Sequence, residues 1–238
     1  AAAVDNLRAR YADPQIGGVL GSLHYLGDGE SATAQVGSLY WWIEERLKDE
    51  ESRTGNVLGA DGSIFSIRRS LYPAFPDDVL DDLTVSMAVL FAGMRLVKAK
   101  DVIARERLVA ARTDEYRRKV RIAARAWHTH RHLRPRIARL SRLDRFKYAS
   151  RKIVRWFGGL FILTGAVAAG ALAMRISPTL YMACGLAVVL VLWLGLRRRA
   201  GPFAALVDIL IAYAATLQGV AQAMAGRTFT VWNPAKSR

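Results

Sequence analysis

The sequence predicts an α/β domain that leads, at its C-terminal end, into a membrane region. Two patterns carry this expectation. Strand-like and helix-like segments alternate through the first 132 residues, as in layered α/β architectures. Beyond residue 155, three long apolar runs follow one another, each close to the length needed to cross a bilayer. Composition agrees with both: the 238 residues are 52% apolar yet carry a net charge of +15. That combination fits a membrane protein with a basic cytoplasmic face better than a nucleic-acid binder. The charge is concentrated, with fifteen Lys or Arg and one acid, Asp144, between Arg117 and Arg155. The one cysteine, Cys184, lies in an apolar run, which excludes an intrachain disulfide and disfavours a thiolate metal site.

The first ten residues, AAAVDNLRAR, lack an initiator Met and an apolar signal core. They read as the middle of a helix over 1–11, so the chain is expected to be a piece of a longer protein. Asp13-Pro14 is a turn, and 16–25 is a strand despite its glycines. A polar connection over 30–37 precedes a helix over 38–52, capped by Ser38 and carrying Leu39, Trp42, Ile43 and Leu47 at helical spacing. Glu44 and Glu45, beside Trp41 and Trp42, are either a sugar-binding acidic pair or the exposed edge of a packed helix. A strand is expected over 63–69, a helix over 82–91, and two short strands over 94–99 and 102–106 with Lys100-Asp101 as their turn.

The helix expected over 113–132 has Thr113 as cap and Asp114 and Glu115 at its positive end. Arg118, Arg121 and Arg125 share one of its faces. Three such charges repel unless an anion lies between them, and a diphosphate matches guanidinium forks; a basic helix on anionic lipid is the alternative. His128, His130 and His132 suggest a metal only superficially, because only the first and last share a face and no carboxylate is near. Residues 133–155 set Leu133, Ile137, Leu140, Leu143 and Phe146 in a basic background, the pattern of an amphipathic interface helix; packing on the soluble domain is compatible with this. The apolar runs are 156–174, 176–196 and 203–224, the third interrupted by Asp208, Gln218 and Gln222. Basic residues before 156 and at Arg197–Arg199 favour two crossings. A third crossing puts the basic tail, 225–238, outside; otherwise the third run is re-entrant or interfacial.

The most informative stretch is 59–82, GADGSIFSIRRSLYPAFPDDVLDD. A turn with Gly59, Asp61 and Gly62 enters an apolar segment and paired arginines, Arg68 and Arg69. A loop with Pro73 and Pro76 then ends in Asp81 and Asp82 at a helix start. A carboxylate fixed there can act as a base toward a sugar hydroxyl; an ordinary helix cap is the plainer reading.

Taken together, these motifs resemble the C-terminal part of a membrane-embedded family 2 glycosyltransferase, of the kind related to cellulose, chitin and hyaluronan synthases. The resemblance implies the C-terminal, acceptor-side half of an A-type glycosyltransferase domain over 1–132. An interface helix (133–155), a transmembrane region of two or three helices (156–224) and a polar tail (225–238) follow. GADGSIFSIRRSLY resembles the turn and paired-arginine strand where the acceptor sits, implying acceptor contacts at Asp61, Gly62, Ser63 and Asp81. Asp81-Asp82-Leu83 resembles the acidic motif with the general base, which makes Asp82 the base. Arg118-Lys119-Val120-Arg121-Ile122 stands in place of the Gln-x-x-Arg-Trp motif, with Arg118 and Arg121 on the donor diphosphate. Residues 145–156 resemble the helix entering the membrane, and Thr228 to Pro234 the usual C-terminus. Two departures stand out. Arg118 replaces Gln and Ile122 replaces Trp, removing the aromatic platform for a growing polymer, for which Trp127 is the alternative. The Asp-x-Asp motif that holds a divalent metal, Mg or Mn, is also missing; Asp5 and Asp13 stand alone.

The implied reaction is inverting transfer from a nucleotide-sugar donor to a saccharide or lipid-linked acceptor. It takes place on the cytoplasmic side of a cell's inner (plasma) membrane, in a multi-pass protein with membrane lipid as partner and no nucleic acid. The metal is expected on an upstream motif, so this piece alone is expected to be inactive. The alternatives are a polyprenyl-phosphate monosaccharide transferase and a non-catalytic membrane-anchored scaffold.

Overall fold

A computed structural model describes residues 2–26, 31–107, 109 and 111–230. Ala1, Glu30 and the tail from 231, with Trp232 and Pro234, lie outside the described residues. The described architecture is mixed α/β, with a three-stranded sheet of order β2-β1-β3. The central strand β1, Ile16–Leu26, is buried over its first eight residues. It pairs antiparallel with β2, Phe65–Ile67, and parallel with β3, Arg95–Arg107. Parallel neighbours need a crossover, which here contains α2 (Ala32–Thr54) and α3 (Asp81–Phe91). The glycines of β1 are required by close packing. At Gly21 an added Cβ would lie 2.6 Å from the Val102 carbonyl oxygen.

That contact also corrects the expected hairpin at Lys100-Asp101. Both halves of β3 pair with β1 rather than with each other. Between the Leu20–Lys98 and Ser22–Ile103 pairs, β3 advances five residues while β1 advances two. The surplus forms a bulge that inserts Val102 against Gly21 and leaves Lys100 and Asp101 at the surface. Arg10 of α1 (Ala2–Arg10) pairs with Asp101 at 2.7 Å.

Other boundaries shift for local reasons. α2 begins at Ala32, because Ser31 rather than Ser38 is the cap, accepting the Ala34 N–H at 3.1 Å. The expected strand over 63–69 contracts to three residues, since Arg69–Leu71 forms a 3-10 turn. α4, Arg112–Ile137, starts without a side-chain cap and continues past residue 132 through Pro135. Residues 133–155 are not one helix. After Ile137 the chain turns, Ser141 caps α5 (Arg142–Tyr148), and Ala149–Val154 winds as a π-helical turn. Leu133, Ile137 and Tyr148 join Leu20, Leu83, Met87 and Leu96 in the main core, whereas Leu143 and Phe146 are exposed.

α2 packs the opposite way to its apolar stripe. Leu39, Trp42, Ile43 and Leu47 face outward, at 39–62% exposure, while Glu44, Lys48 and Glu51 are buried. The cause is Arg151, itself buried, whose guanidinium bridges Glu44 and Glu51. Arg155 adds a 2.5 Å pair to Glu44, and Glu51 also accepts the Leu58 N–H at 3.1 Å. Neither sequence reading of Glu44 and Glu45 holds: Glu44 is clamped inside, and Glu45 pairs with Lys48 and Lys98.

Among the described residues three helices are long and apolar enough to cross a membrane: α6 (Gly158–Ile176), α7 (Pro178–Arg197) and α8 (Pro202–Met224). The first two are almost wholly exposed along their apolar lengths, whereas a third of α8 is buried within the protein.

Replacing Arg151 by Met leaves Glu51 buried without its cation and Glu44 with Arg155 alone, which destabilises by roughly 3–5 kcal/mol. Thermal unfolding in detergent should show a clear fall in Tm. Burial by itself would raise the Glu44 carboxyl, but Arg151, Arg155 and Lys152 hold it down at about 2. This stability is therefore present above the ordinary carboxylate range and drains away as pH falls toward about 2.

Candidate active site

The start of α3 is held by α4. The Leu80 N–H donates to Thr129 Oγ1 at 2.7 Å, and the Arg125 guanidinium donates to the Val79 carbonyl. The Thr84 hydroxyl donates back to the Leu80 carbonyl at 2.6 Å. Leu80 occupies the cap position, so Asp81 and Asp82 are the first two helical residues rather than the cap. Asp82 is half-buried and Asp81 exposed.

Ser86, one turn along α3, ties the glycine-rich turn to this helix. Its hydroxyl donates to the Asp82 carbonyl at 2.6 Å and accepts the Ala60 N–H at 2.8 Å. Gly59 has φ +96°, a conformation that glycine adopts readily. The turn brings Gly62 beside Asp82, where an added Cβ would lie 3.6 Å from Asp82 Oδ2. Asp82 Oδ1 accepts the Leu83 N–H at 2.7 Å. Among the described residues, Oδ2 has no hydrogen-bond partner. One oxygen is thus fixed, and the other lies beside Gly62.

Burial raises the Asp82 carboxyl to about 6, helped by the negative charges of Asp81 and Asp61 and opposed by the Leu83 N–H and Lys152. Lys152, on the π-helical turn, is the matching cation. Burial and its neighbour Arg151 bring its ammonium down to about 8, against the pull of Glu44 and Asp82. It makes no hydrogen bond or ion pair among the described residues. Asp61 is committed differently: it pairs with Lys48 and accepts both the hydroxyl and the N–H of Ser63. Burial would raise Asp61, but Lys48 and Ser63 outweigh it and keep it ionised.

Arg118 lines a cleft with Tyr25, Tyr40, Trp41, Glu106 and Glu115. Glu115 orients it, accepting from Nε at 2.9 Å. No hydrogen bond or ion pair joins Arg118 to Asp82 among the described residues. Asp61 pairs with Lys48, whose ammonium lies 5.3 Å from the ring of Trp41 on the cleft wall. Asp61 and Arg118 both act electrostatically on the Tyr25 hydroxyl. Arg121 is half-buried on α4. The three-arginine ridge is therefore divided, with Arg118 facing the cleft and Arg125 supporting α3. Ile122 is 37% exposed, while Trp127 packs edge-on against Trp156 and Phe157 at 5.9 and 6.4 Å. Trp127 thus belongs to the junction with α6 and offers no platform beside Asp82.

The histidines are used by the fold. His128 lies 3.7 Å from Asp78 and bonds the Arg227 carbonyl at 2.9 Å, and His130 stacks on Tyr148. Among the described residues no three His, Cys, Asp or Glu side chains are grouped to hold a metal ion.

Sequence reasoning missed Lys152, Lys48, Ser86 and Thr129. Lys152 lay unmarked within a basic run, and the other three are polar residues whose value comes only from tertiary partners. No protein-family model matches the chain, and no curated protein sequence is significantly similar to it.

A carboxyl raised above its unfolded value disfavours the folded state once it ionises, so this strain is present above about 6 and absent where both states are protonated. Asp82→Asn should therefore raise Tm at neutral pH, with the gain vanishing as pH falls below the ordinary aspartate range. Scanning calorimetry at several pH values checks this; an unchanged or lowered Tm at pH 7 contradicts the strained carboxylate.

Proposed function

We propose that this chain is the acceptor-side half of a membrane glycosyltransferase in which Asp82 is the general base. The supporting observation is the Asp82 carboxylate itself, with Oδ1 pinned, Oδ2 unpartnered beside Gly62, and an ionisation displaced toward neutrality. A base of this strength exchanges protons efficiently near neutral pH. In the proposed reaction Oδ2 takes the proton of an acceptor hydroxyl as that oxygen bonds to the anomeric carbon of a nucleotide sugar. The bond from that carbon to the diphosphate breaks, and its electron pair leaves with the diphosphate. Arg118, oriented by Glu115, faces the cleft where that negative charge develops; Arg121 shares its helix. Asp61, Gly62 and Ser63 form the turn beside the base and take the acceptor side, with exposed Asp81 supporting Asp82.

The missing aromatic plane at Ile122 favours passing one sugar, including to a lipid-linked phosphate, over extending a polymer. Product length distinguishes the two. Basic residues on the segment before α6 and at Arg197–Arg199 support a cytoplasmic position for the domain, and the plasma membrane is the proposed location.

The test is transfer from a radiolabelled nucleotide sugar, assayed in membranes with the donor-binding residues expected upstream. Asp82→Asn should retain donor binding and lose about 10²- to 10⁴-fold in transfer; near-normal turnover rejects the assignment. The wild-type profile should rise through about 6 and decline above about 8. Lys152→Met should remove the alkaline limb, whereas an unchanged limb excludes Lys152 from the site.

A further inference from the structure

The three apolar helices are not equivalent, and the difference lies in what α8 touches. Along one side it is strapped to α4 by a series of contacts. Arg112 pairs with Asp208, and Tyr116 donates to Gln218. At Gly219 an added Cβ would lie 2.3 Å from the Val120 carbonyl oxygen. His128 bonds the Arg227 carbonyl at 2.9 Å. These partners are 96, 102 and 99 residues apart where hydrogen-bonded, so the two helices run side by side in the same direction. From Arg112 to His128 the match extends over ~24 Å at 1.5 Å per residue.

α4 cannot lie in hydrocarbon. It carries Asp114, Glu115, Arg117, Lys119 and Arg131, and Thr129 and Arg125 secure the start of α3. A helix held along α4 shares its depth.

The contacts with the other two helices agree. α8 meets α7 at that helix's last turn, where an added Cβ on Gly195 would lie 2.3 Å from the Phe203 carbonyl oxygen and 2.6 Å from Val207. It meets α6 at the first turn, where Gly158 abuts the Tyr213 ring. Positions 203, 207 and 213 therefore pass the end of one helix and then the beginning of the other, across the mouth of the α6–α7 hairpin. Polar groups converge at the same level. Thr33 donates to Asp208 at 2.8 Å, the Ala32 N–H donates to the Arg199 carbonyl at 2.7 Å, and Arg112 donates to the Gly195 carbonyl at 3.3 Å.

We propose that α8 lies flat in the lipid headgroup layer on the side of the α/β domain, and that of the three apolar helices only α6 and α7 cross the bilayer. Its uncovered face, Phe203, Leu206, Ile209 and Met224 at 36–60% exposure, enters the boundary between headgroups and acyl chains. Asp208 then stays out of the hydrocarbon, where a charge is costly. Arg227 and Thr228 remain on the same side as the basic domain, in keeping with the charge rule.

Sidedness tests this in a Cys184→Ser background, with single cysteines at Glu50, Arg175 or Thr228 in sealed vesicles of known orientation. An impermeant maleimide should label Thr228→Cys from the same side as Glu50→Cys and from the side opposite Arg175→Cys. Labelling together with Arg175→Cys overturns the proposal. Depth gives a second readout. Fluorophores at Leu206→Cys and Met224→Cys should be quenched equally by lipids brominated at one depth. A crossing helix would separate these positions by up to ~27 Å, and strongly unequal quenching rejects the flat placement.

Discussion

The buried guanidinium of Arg151 governs how the two halves of this chain meet. It comes from the turn that leads into the membrane helices, and it inserts between Glu44 and Glu51 of α2. A lone charge in such a place is strongly unfavourable, so the pairing is effectively all-or-none. It selects which face of α2 turns inward and so exposes the apolar stripe. Arg155, one turn later, repeats the attachment at Glu44. The approach to α6 is thereby fixed to the domain rather than tethered through a loose linker.

The same attachment sets up the candidate chemistry. Lys152 follows Arg151 directly, and the π-helical turn carries it into the electrostatic field of Asp82. From the other direction, α4 grips the residues just before Asp82 through Thr129 and Arg125. The carboxylate thus sits where membrane-entry turn, domain helix and glycine-rich turn meet. Its unpartnered oxygen lies at that meeting: Ser86 closes the turn onto α3 and brings Gly62 beside it.

Features governed by local pattern were legible in the sequence. The apolar helices fall within two residues of their expected limits, and β1 and α3 within one. Asp82 and the turn at Gly59–Gly62 were recognisable as one constellation from their residue types and order. Features governed by distant partners were not. Periodicity locates an apolar stripe on α2 but cannot say that a cation a hundred residues away will claim the other face. Alternation around Lys100-Asp101 fits a hairpin and a bulged strand equally well; what decides is pairing with β1. Arg118, Arg121 and Arg125 share a helical face in sequence, yet Glu115 and the Val79 carbonyl draw Arg118 and Arg125 to different tasks. The depth of α8 is likewise a property of its contacts with α4 and invisible to hydropathy.

The clamp at Arg151 and the α4–α8 pairing both fix Asp82 relative to the apolar helices, as the proposed transferase reading requires of its base. The central claim is that this framework strains one carboxylate toward neutrality. Direct titration of Asp82 tests it, using ¹³C-carboxyl aspartate NMR with Asp82→Asn to assign the resonance. The account predicts a midpoint near 6, rising further in Lys152→Met as the neighbouring cation is lost. A midpoint at the ordinary aspartate value of about 3.9, unmoved by that substitution, contradicts it.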